Sequence, residues 1–156
     1  MKMDQIECYD VIGSFDVLEH IQEDEKVLEN FYTALKPDGY LVLTVPQCMW
    51  LWSAVDEFSC HCRRYSRDQM VHKLGNAGFQ IEYITSFVSV LCPIMFLSRL
   101  RFKKTAQITD PMCELKISNS LNWIFCLIMQ FEILLLKICI RFPIGGSLLV
   151  IAKKTI

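Results

Sequence analysis

Two apolar runs separated by an amphipathic stretch constrain this chain more than any other feature. Tyr9-Asp10-Val11-Ile12-Gly13-Ser14-Phe15 reads as a short buried strand. From Glu23 to Lys36 the chain opens with acids and closes on Lys, as the helix macrodipole favours, and Val27, Leu28, Phe31 and Leu35 form an apolar stripe. Pro37-Asp38-Gly39 then supplies a turn. Tyr40-Leu41-Val42-Leu43-Thr44-Val45-Pro46 is a nearly unbroken β-prone run, the pattern of a parallel strand covered on both faces. Strand, helix, turn and strand make a βαβ unit with a right-handed crossover expected.

Downstream, Ser66 is placed as the N-cap of a helix over Arg67–Asn76, with Gly78 just beyond its end. Phe79 to Ile84 alternates apolar and polar, the mark of a strand with one more exposed face. An apolar stretch from Ser86 to Leu100 is broken at Pro93, a polar stretch runs from Arg101 to Asn119, and Leu121 to Phe142 is apolar again. Pro143-Ile144-Gly145-Gly146 turns the chain into a final strand over Ser147–Ala152. At 156 residues this is one domain's worth of chain. It divides into a βαβαβ core (1–85), an apolar and basic helical insertion (86–142) and a closing strand (143–156).

Composition bears on partners and compartment. The apolar fraction is 53% and the mean hydropathy +0.30, which excludes a disordered chain. The net charge of −1 conceals a division. Residues 1–83 carry seven basic and fourteen acidic side chains, whereas residues 84–156 carry nine and three. No global basic field points to nucleic acid. The eight cysteines are scattered, several within apolar runs, and Met1 to Glu7 contains no apolar signal segment, so a reducing, cytoplasmic setting is expected. Cys60-His61-Cys62 lacks zinc-finger spacing, and no metal is assigned from the sequence.

The ordered pieces resemble the second half of a class I S-adenosylmethionine-dependent methyltransferase. They are Tyr9 to Ile12 with Asp16-Val17-Leu18-Glu19-His20-Ile21, Leu35-Lys36-Pro37-Asp38-Gly39 with its strand, Leu51-Trp52-Ser53, Asp56-Glu57, His61-x-Arg63-Arg64-Tyr65, Ala77-Gly78-Phe79 and Gly146 to Val150. The resemblance implies a partial Rossmann-like α/β sheet holding strands four to seven of seven, the last antiparallel. It also implies S-adenosyl-L-methionine as cofactor, with Ser14, Phe15 and Asp16 lining its methionine moiety. The family's Gly-rich cofactor loop is missing: no G-x-G occurs in the chain. The domain is therefore read as N-terminally truncated, inactive alone or completed by a separately encoded N-terminal fragment.

His61 is the candidate base or acceptor contact, since an imidazole titrates near neutrality. Glu19 and His20, with Asp16, place two carboxylates and an imidazole within one turn; they either act on a ligand or cap and pack the loop. The segment is similar to the Glu-x-x-Glu-His stretch that holds a divalent ion in some O-methyltransferases, with Asp16 at the first position. Trp52, Arg63, Arg64 and Tyr65 are candidate acceptor contacts, the arginines for a phosphate or carboxylate, the competing reading being ion pairs to Asp56, Glu57 or Asp68. Phe15 divides evenly between core and cofactor contact.

Leu121 to Phe142 has three destinations: an interfacial membrane helix flanked by Arg99, Arg101, Lys103 and Lys104, a face packed on the sheet or a second copy, or a spanning helix, against which Glu132 near its middle argues. The expected activity is methyl transfer to a small or lipid-linked acceptor; the rival is a non-enzymatic, membrane-peripheral remnant. An unpaired edge on the first strand would invite a homodimer.

Overall fold

In the computed structural model, residues 6–102 and 118–155 are described, with the backbone alone given for 99–102. The elements run β1 (Tyr9–Phe15), α1 (Asp24–Ala34), β2 (Leu35–Pro46), α2 (Ala54–Phe58), α3 (Arg67–Asn76), β3 (Phe79–Phe87), α4 (Cys92–Phe102), α5 (Asn119–Lys137) and β4 (Ser147–Lys154). The sheet order is β1-β2-β4-β3. β1 and β2 are parallel, and β4 runs antiparallel to both its neighbours. This is the partial Rossmann-like arrangement, with an antiparallel last strand, that the resemblance implies.

Local chemistry accounts for most boundaries. Helix α3 starts at a capping box: Ser66 Oγ accepts from Gln69 N, and the Gln69 side chain accepts from Ser66 N. Just past its end Gly78 takes φ +94°, a backbone conformation glycine adopts without penalty. The turn at Pro37-Asp38-Gly39 is absorbed into β2 as an irregularity. Tyr9 pairs with Leu35 but Val11 pairs with Tyr40, so the extra residues bulge out of the ladder and α1 ends at Ala34. Pro93 does not break its segment. It stands in the first turn of α4, where a missing N–H loses nothing.

The core fills one side of the sheet. Leu28 and Phe31 of α1 and Met70 and Leu74 of α3 pack on Leu41, Leu43, Val45, Leu148, Val150 and Ala152. The expectation that β2 is covered on both faces is corrected by its alternation: Leu41, Leu43 and Val45 are buried, Val42 and Thr44 only partly, and Tyr40 is exposed. Register continues this open face through Val11, Gly13 and Phe15 of β1 and Leu149 and Ile151 of β4. Among the described residues β1 pairs only with β2. Its free edge and the open face carry Val11 (58% exposed) and Phe15 (61% exposed), so Phe15 is not a core residue.

The apolar C-terminal segment forms α5, capped by Ser118. Glu132 is fully buried and accepts from Ser89 N at 3.0 and 2.9 Å and from Val90 N at 2.8 Å. It pins α5 to the chain just before α4. A carboxylate with these partners does not lie exposed in the middle of an apolar helix face, which removes the objection drawn from it. α5 is long and apolar enough to cross a membrane, and only 6% of its most apolar window is buried. The side chains of Arg99 and Arg101, and Lys103 and Lys104 entirely, lie outside the described residues, as does Cys113. The other seven cysteines are free thiols.

Candidate functional site

The site forms where β1 and β2 end and β4 begins. Asp16 follows β1 with φ 51°, its backbone N–H bonded to Thr44 O and its carboxylate accepting from Thr44 Oγ1 at 3.2 Å. A 3₁₀ turn over Leu18–His20 comes next. Beyond β2, a second 3₁₀ turn (Met49–Leu51) and α2 lead to Ser59–Cys62. Cys62 N–H donates to Glu19 O at 2.7 Å, which ties the two loops together. An open pocket of about 390 Å³ lies between them, lined by Asp16, Glu19, His20, Pro46, Ser59, His61 and Ser147.

Three of the sequence candidates therefore converge. One ligand-capable atom from each of Glu19, His20 and His61 falls within 4.8 Å of the others. The two imidazoles meet edge to face with centroids 4.7 Å apart, and His20 Nε2 stands 4.0 Å from Glu19 Oε1. Glu19 is 1% exposed and its Oε2 has no hydrogen-bond partner. Burial raises its carboxyl above the ordinary range, Asp16 adds to this, and hydrogen bonding to backbone and the two histidines oppose it.

His61 is held from behind. Its Nδ1 lies 2.9 Å from Asp56 Oδ1, so Nδ1–H donates to the carboxylate and leaves Nε2 with a lone pair. Asp56 is buried and also receives Arg64 Nε at 2.8 Å, Arg64 Nη2 at 3.0 Å and Ser53 N at 2.9 Å. Burial pushes its pKa up, but these hydrogen bonds and the Arg64 charge outweigh burial and hold it below the ordinary 3.8. Asp56 is also the third residue of the α2 capping box, Ser53-x-x-Asp56. Asp56 is absent from the sequence's candidate site residues: Asp56-Glu57 reads there as a piece of the resemblance and as an ion-pair partner of the arginines, not as the support of His61, although the Ser53-x-x-Asp56 capping spacing is visible.

The remaining candidates occupy different places. Arg64 is committed to Asp56 and to Gln47 O (3.1 Å). Arg63 reaches Asp24 at 3.0 Å and Gln22 O at 2.9 Å. Tyr65 is buried, its hydroxyl donating to Asp24 Oδ2 at 2.8 Å and lying 3.2 Å from Leu18 O. Burial and then the Asp24 carboxylate push that phenol far up. Trp52 Nε1 donates to Glu57 at 3.4 Å, and Trp50 stacks edge-on against Phe96. Ser14 is buried with an unpartnered hydroxyl, while Phe15 and Asp16 are exposed. Cys60 and Cys62 stay out of the Glu19–His20–His61 cluster; Cys62 Sγ contacts Gln22 Nε2 and His20 O instead.

Comparison with known proteins bears on the fold. No curated protein matches the chain. The complex between the Haloferax volcanii Trm112 methyltransferase activator and a protein assigned as a methyltransferase matches at TM-score 0.57 and 14% identity, covering 97% of this chain and 57% of that one. Phosphoethanolamine N-methyltransferase 2 of Haemonchus contortus, in complex with S-adenosyl-L-methionine, matches at 0.52 and 16%, covering 97% and 34%. A methyltransferase dependent on the same cofactor from Archaeoglobus fulgidus matches at 0.53 and 18%, covering 96% and 61%. The chain thus spans between about a third and two thirds of these relatives' lengths. The family model of the methyltransferase domain matches residues 4–84, which is more than half of the 156 residues. This chain belongs to the methyltransferase domain family.

Proposed function

We propose that this chain contributes the acceptor side of an S-adenosylmethionine-dependent methyltransferase acting on a small or lipid-linked acceptor. The observation that carries this reading is the pocket at the strand ends, where His61, oriented by Asp56, stands beside Glu19 and His20. Ligands of open α/β sheets bind at that end. Methyl transfer requires alignment of nucleophile, methyl and sulfonium, and a held imidazole with a free Nε2 suits removal of the acceptor's proton. Ser14, Phe15 and Asp16 take the cofactor side and Trp52 the acceptor side. Arg63, Arg64 and Tyr65 support the acceptor loop through the bonds they already make.

On this reading the 156 residues alone are inactive, and cofactor binding is completed by polypeptide that adds a strand to the free edge of β1. The unpaired edge of β1 and the open face through Val11, Phe15, Val42 and Ile151 support the idea, because an added strand would pair the edge and a helix accompanying it would cover the face. The test is transfer of a labelled methyl group to phosphoethanolamine-type and lipid acceptors by the chain with and without such a segment. Transfer is expected only with the segment and is expected to fall on His61→Ala.

A second reading rests on α5. Trp123, Leu127, Phe131 and Leu134 are exposed on it, as is Ile138 at its C-cap, and Lys137 is its last residue. A helix of this kind lying in an anionic membrane interface would give a cytoplasmic, membrane-associated protein close to a lipid-linked acceptor. It predicts co-sedimentation with anionic vesicles that weakens with salt. Co-sedimentation indifferent to both lipid charge and salt would refute it.

A further inference from the structure

The pocket at the strand ends is acidic beyond what moving a proton requires. Asp16 and Glu19 both line it, and among the described residues no lysine or arginine does. The two arginines of the neighbouring loop are engaged elsewhere, Arg63 by Asp24 and Gln22 O, Arg64 by Asp56 and Gln47 O. A phosphate or carboxylate entering here would meet two like charges and no counter-charge. Glu19 also lacks a donor: it is 1% exposed and its Oε2 has no hydrogen-bond partner. A buried carboxylate oxygen in that state is costly, which favours a ligand that brings both a donor and a positive charge.

We propose that this pocket takes its acceptor as a protonated amine, whose ammonium nitrogen donates to Glu19 and to His61 Nε2 while Asp16 on the wall adds its charge. Acceptors about 2.9 Å from a tetrahedral ammonium nitrogen stand roughly 4.7 Å apart. One polar atom each from Glu19, His20 and His61 lies within 4.8 Å of the others, so the spacing suits an ammonium group as it stands. A hydroxyl offers one donor and no charge, whereas a primary ammonium offers three donors and a full charge opposite two carboxylates. His61 keeps its part as base, because the N–H it accepts is the proton it removes. That proton passes to Nε2, and Asp56 at Nδ1 stabilises the imidazolium. The nitrogen lone pair then forms the C–N bond to the sulfonium methyl, the C–S pair returns to sulfur, and the methylated nitrogen keeps the positive charge that Glu19 faces. That the bound amine is a methyl acceptor rests on the proposed function; that the pocket selects ammonium does not.

A free amine and an amine-bearing lipid head group share this chemistry, and a pocket of about 390 Å³ has room for either. The test is titration of ethanolamine into the full chain at pH 7 and constant ionic strength, with glycolate and ethylene glycol as anionic and neutral counterparts. The ring NMR signals of the three histidines report binding. Ethanolamine is expected to shift His20 and His61 saturably and to leave His72, exposed on α3, unchanged; the counterparts are expected to shift none. Glu19→Gln is expected to weaken binding by ~10-fold or more, through loss of a charge-assisted bond. Asp16→Asn, whose amide oxygen can still accept from Thr44, is expected to weaken it roughly 2–5-fold, and its exposed position keeps the test independent of core packing. Glycerophosphoethanolamine separates the sources: tighter binding than ethanolamine assigns a lipid head group, equal or weaker binding a free amine. No response to either amine, a response to glycolate as strong as to ethanolamine, or undiminished binding in both variants would each overturn the ammonium site. Binding is read without methyl transfer, so the two readings fail separately. Transfer to a hydroxyl acceptor without amine binding would refute the amine alone, and amine binding without any transfer would refute the methyl-transfer reading alone.

Discussion

Asp56→Asn is the perturbation that probes the site's support most sharply. Asp56 is 1% exposed and its two oxygens accept from Arg64 twice, from His61 and from Ser53, at 2.8 to 3.0 Å. Asparagine keeps the shape but turns one acceptor into a donor, which must then face Arg64 and either His61 or Ser53. The Arg64 side chain is 10% exposed and would lose its counter-charge. Breaking a buried pair from one side costs about 3–5 kcal/mol, and the remaining oxygen places this variant near the lower end, at about 3 kcal/mol. Against a typical total of about 5–15 kcal/mol, and a urea slope of about 1–3 kcal/mol per molar, the midpoint should fall by about 1–3 M. The assay is urea unfolding followed by circular dichroism from pH 7 downward. Because Asp56 is held below 3.8 in the folded chain, its stabilisation is complete above that pH and is lost as pH falls through the folded value. The gap between wild type and variant should thus stay constant from pH 7 to about 5 and narrow below about 3.8. Asp56→Asn/Arg64→Met should lose less than the sum of the single changes, since no charge is stranded. A loss under about 1 kcal/mol at pH 7 would refute the reasoning.

Other expectations follow from single contacts. Glu19→Met should stabilise the protein by about 1–2 kcal/mol, since it removes a buried carboxylate oxygen without a donor; thermal unfolding measures it. Glu132→Gln should cost about 2–4 kcal/mol and raise amide exchange at Ser89 and Val90, whose N–H groups now bond to the carboxylate. Gly145→Ala should cost about 3 kcal/mol or more in urea unfolding, because its Cβ would land on the Phe87 carbonyl oxygen.

The fold was legible where local chemistry agrees with tertiary packing. α3 runs over the residues its N-cap and trailing glycine mark, since Ser66 and Gln69 satisfy each other without distant help. The antiparallel β4 was readable only through the resemblance, and the strand order β1-β2-β4-β3 only from the structure. What escaped the sequence depends on contacts across the chain. The Pro37-Asp38-Gly39 turn became part of β2 because Val11 pairs with Tyr40 beyond it. Glu132 looked like a charge stranded in an apolar helix because its partners, Ser89 and Val90, lie some forty residues earlier. In the site, Glu19 and His20 were visible as neighbours, and His61 as a lone imidazole. Their convergence hangs on the bond from Cys62 N–H to Glu19 O, which no local pattern announces, and on Asp56, whose capping spacing shows the start of α2 but not its bond to His61. Arg64 shows the reverse case: its ion pair to Asp56 was readable from charge and proximity alone.

The central claim is that this chain carries one side of a methyl-transfer site, with cofactor binding completed by a strand added at β1. Calorimetric titration of S-adenosylmethionine tests it directly, into the chain alone and into the chain combined with a segment supplying a strand and Gly-rich loop. The account predicts no binding heat in the first case and one saturable site in the second. Tight binding by the chain alone, or none in either case, would contradict it.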